Sequence, residues 1–160
     1  MELDTGFRPS KHGFGFPNTW KDTLVGVVAS RGRCGGMVFA ALDAFVADEP
    51  LGREALGREL PPHDSPAARA IWRRQVESVV AGTGVNLVEF ARFTYLPSAS
   101  PLGIGVATRR ELLALFDMLR SGRPAPLGMV SGMTLKHLAR NHQVLAYAAD
   151  FGEQRVAVHI

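Results

Sequence analysis

Apolar residues recur at helical spacing through the first three quarters of this chain, whereas the last quarter is rich in strand-forming residues. The run 37–46 is apolar on nearly every side, which predicts a buried helix. A second helix is predicted to begin after an N-cap at Asp64 or Ser65, with Pro66 in its first turn, and to end at Gly82. The pattern therefore places at least two helices before the middle of the chain.

A third helix has the strongest local signals. Thr108 and Glu111 have the spacing of a capping box, and Gly122 follows the last apolar position. Residues 87–95, which precede this helix, are ambiguous between helix and strand. The predicted apolar stripe of the third helix is Leu112, Leu115, Phe116 and Leu119.

The strand signals are concentrated near the C-terminus. Residues 23–28 could form one short early strand, and 126–130 another. The runs 142–149 and 155–160 are predicted to form a hairpin around the turn 150–154. Helices followed by strands are typical of an α+β fold, with N-terminal helices packed on a C-terminal antiparallel sheet. No repeat or linker interrupts the chain, which predicts one domain over its whole length.

The composition excludes several classes of protein. The chain has 160 residues and a net charge of +3, and its arginines are scattered, so nucleic-acid binding is not expected. No segment approaches the ~18 to 20 apolar residues of a membrane span. The N-terminus has no signal-peptide pattern, which favours the cytoplasm. The aromatic, Gly-rich first twenty residues are predicted to pack onto a core.

Cys34 is the only cysteine, so no internal disulfide can form. Arg31 and Arg33 precede Cys34, and Gly35-Gly36 follow it, just before the first predicted helix. A helix N-terminus and nearby cations both favour a thiolate, and the glycines leave space for a substrate carbonyl. The backbone N–H of Cys34 could donate to an oxyanion. The alternative is a buried core thiol, the common state of a lone cysteine.

Among the five histidines, His142 is the best candidate for a general base because it heads a strand in an apolar run. The alternative is a core or edge histidine without a chemical role. His137 lies five residues away, but no cysteine or carboxylate cluster accompanies the two, so a zinc site is not expected. His12 and His63 are predicted to be solvated, and His159 to be exposed.

A cysteine that opens a buried N-terminal helix, followed far downstream by a histidine on a C-terminal hairpin, resembles the layout of the papain-like cysteine peptidases. Within that superfamily the chain is similar to uncharacterised bacterial proteins akin to the peptidases that cleave bacteriocin leader peptides. The resemblance covers most of the chain. The segments that carry it are Phe14–Asn18, Cys34–Met37, Ala40–Asp43, Pro126–Gly128 and Asn141–Ala146.

The resemblance implies hydrolysis or acyl transfer at peptide or amide bonds of a peptide or protein substrate. Cys34 would be the nucleophile and His142 the base, with no metal or organic cofactor. Papain-like enzymes place an oxyanion-binding Gln six residues before the nucleophile, but Val28 occupies that position here. Asn18 is the only nearby upstream amide and is assigned to this role.

The resemblance also implies a third residue, an Asp or Asn on the strand after the His142 strand. The hairpin places that position just beyond Ile160. Asp150 is the nearest carboxylate, but it falls in the predicted turn and is not assigned. The expectation is a chain that stops one step before its triad is complete, as a gene fragment or a degenerate member would. Two alternatives remain open: an idle papain-like module that binds a peptide or partner, and an unrelated α+β domain.

Overall fold

The computed structural model of the protein describes residues 2–24, 28–80, 100–101, 103–130, 141–153 and 155–160. The predicted helix end at Gly82, the ambiguous segment 87–95 and His137 lie outside the described residues. The described strands are β1 (Glu2–Asp4), β2 (Lys21–Leu24), β3 (Val28–Arg31), β4 (Ala125–Met129), β5 (His142–Ala146), β6 (Ala148–Phe151) and β7 (Val156–His159). The described helices are α1 (Pro9–His12), α2 (Cys34–Val46), α3 (Arg53–Leu56), α4 (Pro66–Val80) and α5 (Ile104–Arg120).

The chain divides into two compact units of mixed helix and sheet, which confirms the coarse part of the predicted fold class. The first, the thiol unit, comprises Arg8–Leu87 and contains Cys34. The second, the histidine unit, comprises Met1–Phe7 together with Val88–Ile160 and contains His142. No helix among the described residues is long and apolar enough to cross a membrane.

In the thiol unit, α2 packs closely against α4. A Cβ atom added to Gly36 would lie 2.1 Å from the carbonyl oxygen of Ile71, so only glycine permits this approach.

The predicted packing of the aromatic lead-in is confirmed, because Phe16 and Trp20 are buried with their ring centroids 5.3 Å apart. The prediction for α2 itself is only partly right. One face is buried, but Val46 at the other end is 54% exposed.

The predicted start of α4 is confirmed. Ser65 Oγ accepts a hydrogen bond of 3.1 Å from the N–H of Ala68, and Pro66 is the first helical residue. The helix is joined to α2 by Arg74, which donates to Asp43 at 3.0 Å and to Glu77 at 2.5 Å. Partial burial lowers the pKa of Arg74, but the hydrogen bonds and charges of the two carboxylates outweigh it, so the pKa is raised and the guanidinium stays charged.

In the histidine unit, α5 packs its predicted stripe onto the strands. Leu115 and Leu119 are buried in one cluster with Ala146 and Ala149. The predicted capping box is wrong, because the N-cap of α5 is Gly103, five residues before Thr108. Its hydrogen-bond ladder starts from the carbonyl of Gly103, which leaves the capping pair inside the helix and exposed. At the other end the predicted stop is confirmed by Gly122, whose φ is +78°.

All described strand pairs are antiparallel, but they are divided among three sheets. The β2 and β3 strands pair with each other in the thiol unit, where the sequence predicted one strand. The predicted strand 142–149 is interrupted at Tyr147, because β5 pairs with β4 whereas β6 lies between β1 and β7. The placement of Asp150 in a turn is also wrong. Asp150 lies within β6 opposite Ala157, since β7 extends the ladder to Phe151 and the turn comes after it.

Candidate active site

Cys34 is the first residue of α2, a helix of 13 residues. It is a free thiol and is neither buried nor fully exposed. A core thiol is ordinarily buried completely, and the first turn of a helix is the place where free N–H groups and the helix dipole favour an anion. The local position of Cys34 is therefore the one expected for a reactive thiol.

The first backbone amides of α2 differ in how they are satisfied. The N–H of Arg33 donates to Asn18 Oδ1 at 2.6 Å, and that of Gly36 donates to Gln75 Oε1 at 2.8 Å. Among the described residues, the N–H groups of Cys34 and Gly35 have no hydrogen-bond partner. Two unpaired donors thus adjoin the thiol, as a site for a developing oxyanion requires.

Asn18 lies against the turn that precedes Cys34. The turn residue Gly32 has φ +91°, and a Cβ atom there would meet the Asn18 amide nitrogen at 2.7 Å. Because the N–H of Arg33 can only donate, the amide oxygen of Asn18 must face it, and the Nδ2 group must face another direction. The side chain assigned to oxyanion binding therefore adjoins the thiol's own turn and keeps a donor group available.

Arg33 does not act as the free cation beside the thiol that the sequence predicted. Its side chain is only 3% exposed and makes a bidentate ion pair with Asp22, with N–O distances of 2.8 and 2.9 Å. Its Nη1 donates to the carbonyl of Ala68 at 2.6 Å. The guanidinium also lies over the rings of Trp20 and Trp72, at 4.6 and 5.1 Å from their centroids. The Arg33 charge is therefore neutralised inside the unit.

His63 completes this group of polar residues. Its Nδ1 lies 2.9 Å from Arg33 Nη2 and 3.5 Å from Asp22 Oδ1. Since a guanidinium only donates, Nδ1 is the acceptor, and the proton of the neutral ring is on Nε2. The side chain is 62% exposed, as predicted, but it is also bound. A depression of about 460 Å³ is lined by Asp22, Arg33, His63, Arg69 and Trp72.

No spacing in the sequence points to the association of Asp22, Arg33 and His63. They lie on a strand, at a helix start and in a loop, and only folding brings them together. The only signal in the sequence was an arginine directly before an apolar run. If such an arginine is buried, its N–H groups need acceptors, and these had to come from distant residues such as Asp22.

His142 is the first residue of β5 in the histidine unit and lies opposite Met129. It is exposed, whereas its neighbour Gln143 on the other face of the strand is buried. The imidazole of His142 is thus on the open face of this two-stranded ladder. Its pairing with Cys34 stays a prediction, since each residue is described within its own unit.

Two other histidines, His159 and His12, each contact a polar group of their own unit. His159 Nε2 lies 2.7 Å from Asp150 Oδ2, and both side chains are exposed, as predicted for His159. In the thiol unit, His12 Nδ1 accepts from the N–H of Arg8 at 2.8 Å. The part of the chain that the structure describes contains no group of three His, Cys, Asp or Glu side chains able to hold a metal ion.

Comparisons with protein-family models, curated proteins and solved structures found no match for this chain. Cys34, His142 and their surroundings are therefore the features of the molecule from which a function can be inferred.

Proposed function

We propose that this protein is a papain-like cysteine hydrolase or acyl transferase that acts on peptide or amide bonds. The observation that carries the proposal is Cys34 itself. A partly exposed thiol on the first residue of a 13-residue helix adjoins two backbone N–H groups without partners among the described residues. A cysteine that only packs in the core is ordinarily buried and is not placed beside unpaired N–H groups.

In the proposed reaction, the Cys34 proton is held by His142 before the attack, and the thiolate Sγ attacks the substrate carbonyl carbon. The oxyanion of the tetrahedral intermediate accepts hydrogen bonds from the Cys34 N–H and from Asn18 Nδ2. The C–N bond then breaks, and the amine leaves with the proton from His142. Water or a second amine attacks the resulting thioester and releases the thiol. These steps require no metal or organic cofactor.

The substrate in this proposal is a peptide or protein, since the reacting bond is an amide. The compartment is the reducing cytoplasm, where a free nucleophilic thiol persists. The alternative is a papain-like module that binds a peptide without chemistry. It is distinguished from the enzyme by the reactivity of the thiol.

The test is the pH dependence of Cys34 alkylation by iodoacetamide in the native protein. A thiolate paired with an imidazolium should react fast down to about pH 6, well below the free-thiol value of ~8.5. His142→Ala should move the rate profile up to the free-thiol range. His12→Ala is the matched control and should leave the profile unchanged.

Three results contradict parts of the proposal. Alkylation only after denaturation would identify Cys34 as a core thiol. A profile at the free-thiol value in the unmodified protein would favour the binding module. If the rate profile moves in His63→Ala but not in His142→Ala, then His142 is not the base.

A further inference from the structure

Arg33, the residue directly before the thiol, is constrained through both its backbone and its side chain. Its N–H is held by Asn18, and its carbonyl accepts the first α2 hydrogen bond, from Met37 at 2.9 Å. Its guanidinium binds Asp22 on β2 and the carbonyl of Ala68 on α4. A single residue thus joins the start of α2 to three other segments of the thiol unit.

The neighbouring turn is held as well. Gly32 adopts a φ of +91°, which favours glycine, and its N–H donates to the carbonyl of Trp20 at 2.7 Å. The backbone direction at which Cys34 enters α2 is set by Gly32 and Arg33 together. Because the backbone fixes Cβ and limits Sγ to a few staggered rotamers, the same contacts restrict where the thiol can point.

Arg33 does not influence the thiol chiefly through charge. Asp22 neutralises the guanidinium at 2.8 and 2.9 Å, and its side chain is only 10% exposed. A buried ion pair of this kind adds little net stability compared with apolar residues of the same size. The pair does, however, restrict the Arg33 side chain to one orientation, because a planar guanidinium makes two hydrogen bonds to a carboxylate only in a fixed geometry.

We infer that Arg33, oriented by Asp22, is a positioning residue for the nucleophile. It sets the direction of Sγ and aligns the N–H groups of Cys34 and Gly35 with the amide of Asn18. This inference rests on the proposed function for its catalytic meaning, but the positioning itself can be measured without activity.

The main variant replaces the pair by apolar residues, Arg33→Met with Asp22→Leu. Removing both charges avoids an uncompensated buried ion, so the unit should fold. The control is a second Arg–Asp contact between segments of the described thiol unit, changed as Arg74→Met with Asp43→Leu. Far-ultraviolet circular dichroism and thermal unfolding identify the variants that remain folded. Arg33→Lys keeps the charge but lacks the planar guanidinium, and it separates charge from geometry.

Two measurements are made on each folded protein. Because Cys34 is the only cysteine, a nitroxide attached to it reports by electron paramagnetic resonance how ordered the α2 start is. The burst of nitrophenolate from p-nitrophenyl acetate reports acylation of the thiol. In the Arg33/Asp22 variant the label should become more mobile and acylation should slow by about 10- to 100-fold. Arg33→Lys should behave similarly, and the Arg74/Asp43 control should match the unmodified protein in both measurements.

An unchanged label mobility in the folded Arg33/Asp22 variant would overturn the inference, as would equal effects of the two double variants. Normal acylation in Arg33→Lys would also overturn it, since charge would then be the relevant property. If the unmodified protein gives no burst while the label loosens only in the Arg33/Asp22 variant, the proposed function fails and the positioning of Cys34 stands.

Discussion

The side chain of Asn18 has two ends with different tasks. Its oxygen accepts from the N–H of Arg33 at 2.6 Å, and this contact holds the turn before the thiol. Its Nδ2 group has no partner among the described residues and is the proposed oxyanion donor. A carboxylate at this position would keep the first task and lose the second, because it accepts but does not donate.

Asn18→Asp should therefore preserve the fold while reducing acylation. The thermal unfolding midpoint should change little, whereas the nitrophenolate burst should slow by about 10²-fold, the effect of losing one oxyanion donor. Asn18→Ala removes both tasks and should lower stability as well. A normal burst in Asn18→Asp would show that this amide does not contact the oxyanion.

The contact between α2 and α4 depends on the absence of a side chain at Gly36. The two helices approach at Ile71, and the amide of Gly36 donates to the buried side chain of Gln75 at 2.8 Å. The same helix start carries the thiol, so the packing of the two helices and the position of Cys34 are linked. Arg74 joins the helices again at Asp43, which lies about two turns beyond Gly36 in α2.

Gly36→Ala should destabilise the protein by about 2 kcal/mol, although alanine is the better helix former. The gain in helix propensity is about 1 kcal/mol, but a Cβ atom 2.1 Å from the Ile71 carbonyl oxygen forces the helices apart, at about 3 kcal/mol. Urea unfolding measures the difference. Gly52→Ala is the control, since nothing lies within 4 Å of an added Cβ there, and its effect should stay within about 0.5 kcal/mol. Equal stability of the two variants would mean that α2 and α4 can separate at no cost.

At the scale of the whole molecule, the two ends of the chain meet in one sheet of the histidine unit. The β1 strand pairs with β6 in the register Leu3 opposite Ala149. Beyond the strand, Thr5 donates to the carbonyl of Tyr147 through both its N–H and its hydroxyl, at 3.1 and 2.8 Å. The first residues of the chain therefore belong to the structure of its last strands.

Leu3→Asp should loosen this sheet, because Leu3 packs against the buried cluster of α5 and the strands. Hydrogen exchange of the amides in Ala148–Phe151 should become faster, by about 10-fold or more for a loss of 1.4 kcal/mol. Glu2→Gln, at an exposed neighbouring position, is the control and should not change the exchange. Unchanged protection in Leu3→Asp would mean that β1 adds nothing to the stability of β6.

Local signals in the sequence were sufficient for the existence of the three long helices, α2, α4 and α5, and for some of their ends, but not for the short helices α1 and α3. Ser65 and Pro66 mark the start of α4, the leucine stripe marks the buried face of α5, and Gly122 marks its end, because capping and periodicity act within a few residues of the chain. The place of Cys34 at a helix start follows from the same kind of signal. The hydrogen bond from the N–H of Arg33 to the oxygen of Asn18 was not predicted, and the role of Asn18 in binding an oxyanion stays a prediction.

Tertiary structure decided the rest, since these features depend on residues far apart in the chain. The burial of Arg33 depends on Asp22 and on the rings of Trp20 and Trp72, which come from two segments. The sequence predicted a free cation at Arg33, but in the structure its charge is neutralised by Asp22. The place of Asp150 in a strand depends on β1 and β7 on either side of it. Backbone hydrogen bonds between strands and buried ion pairs are gained only when distant segments meet, so no window of neighbouring residues contains them.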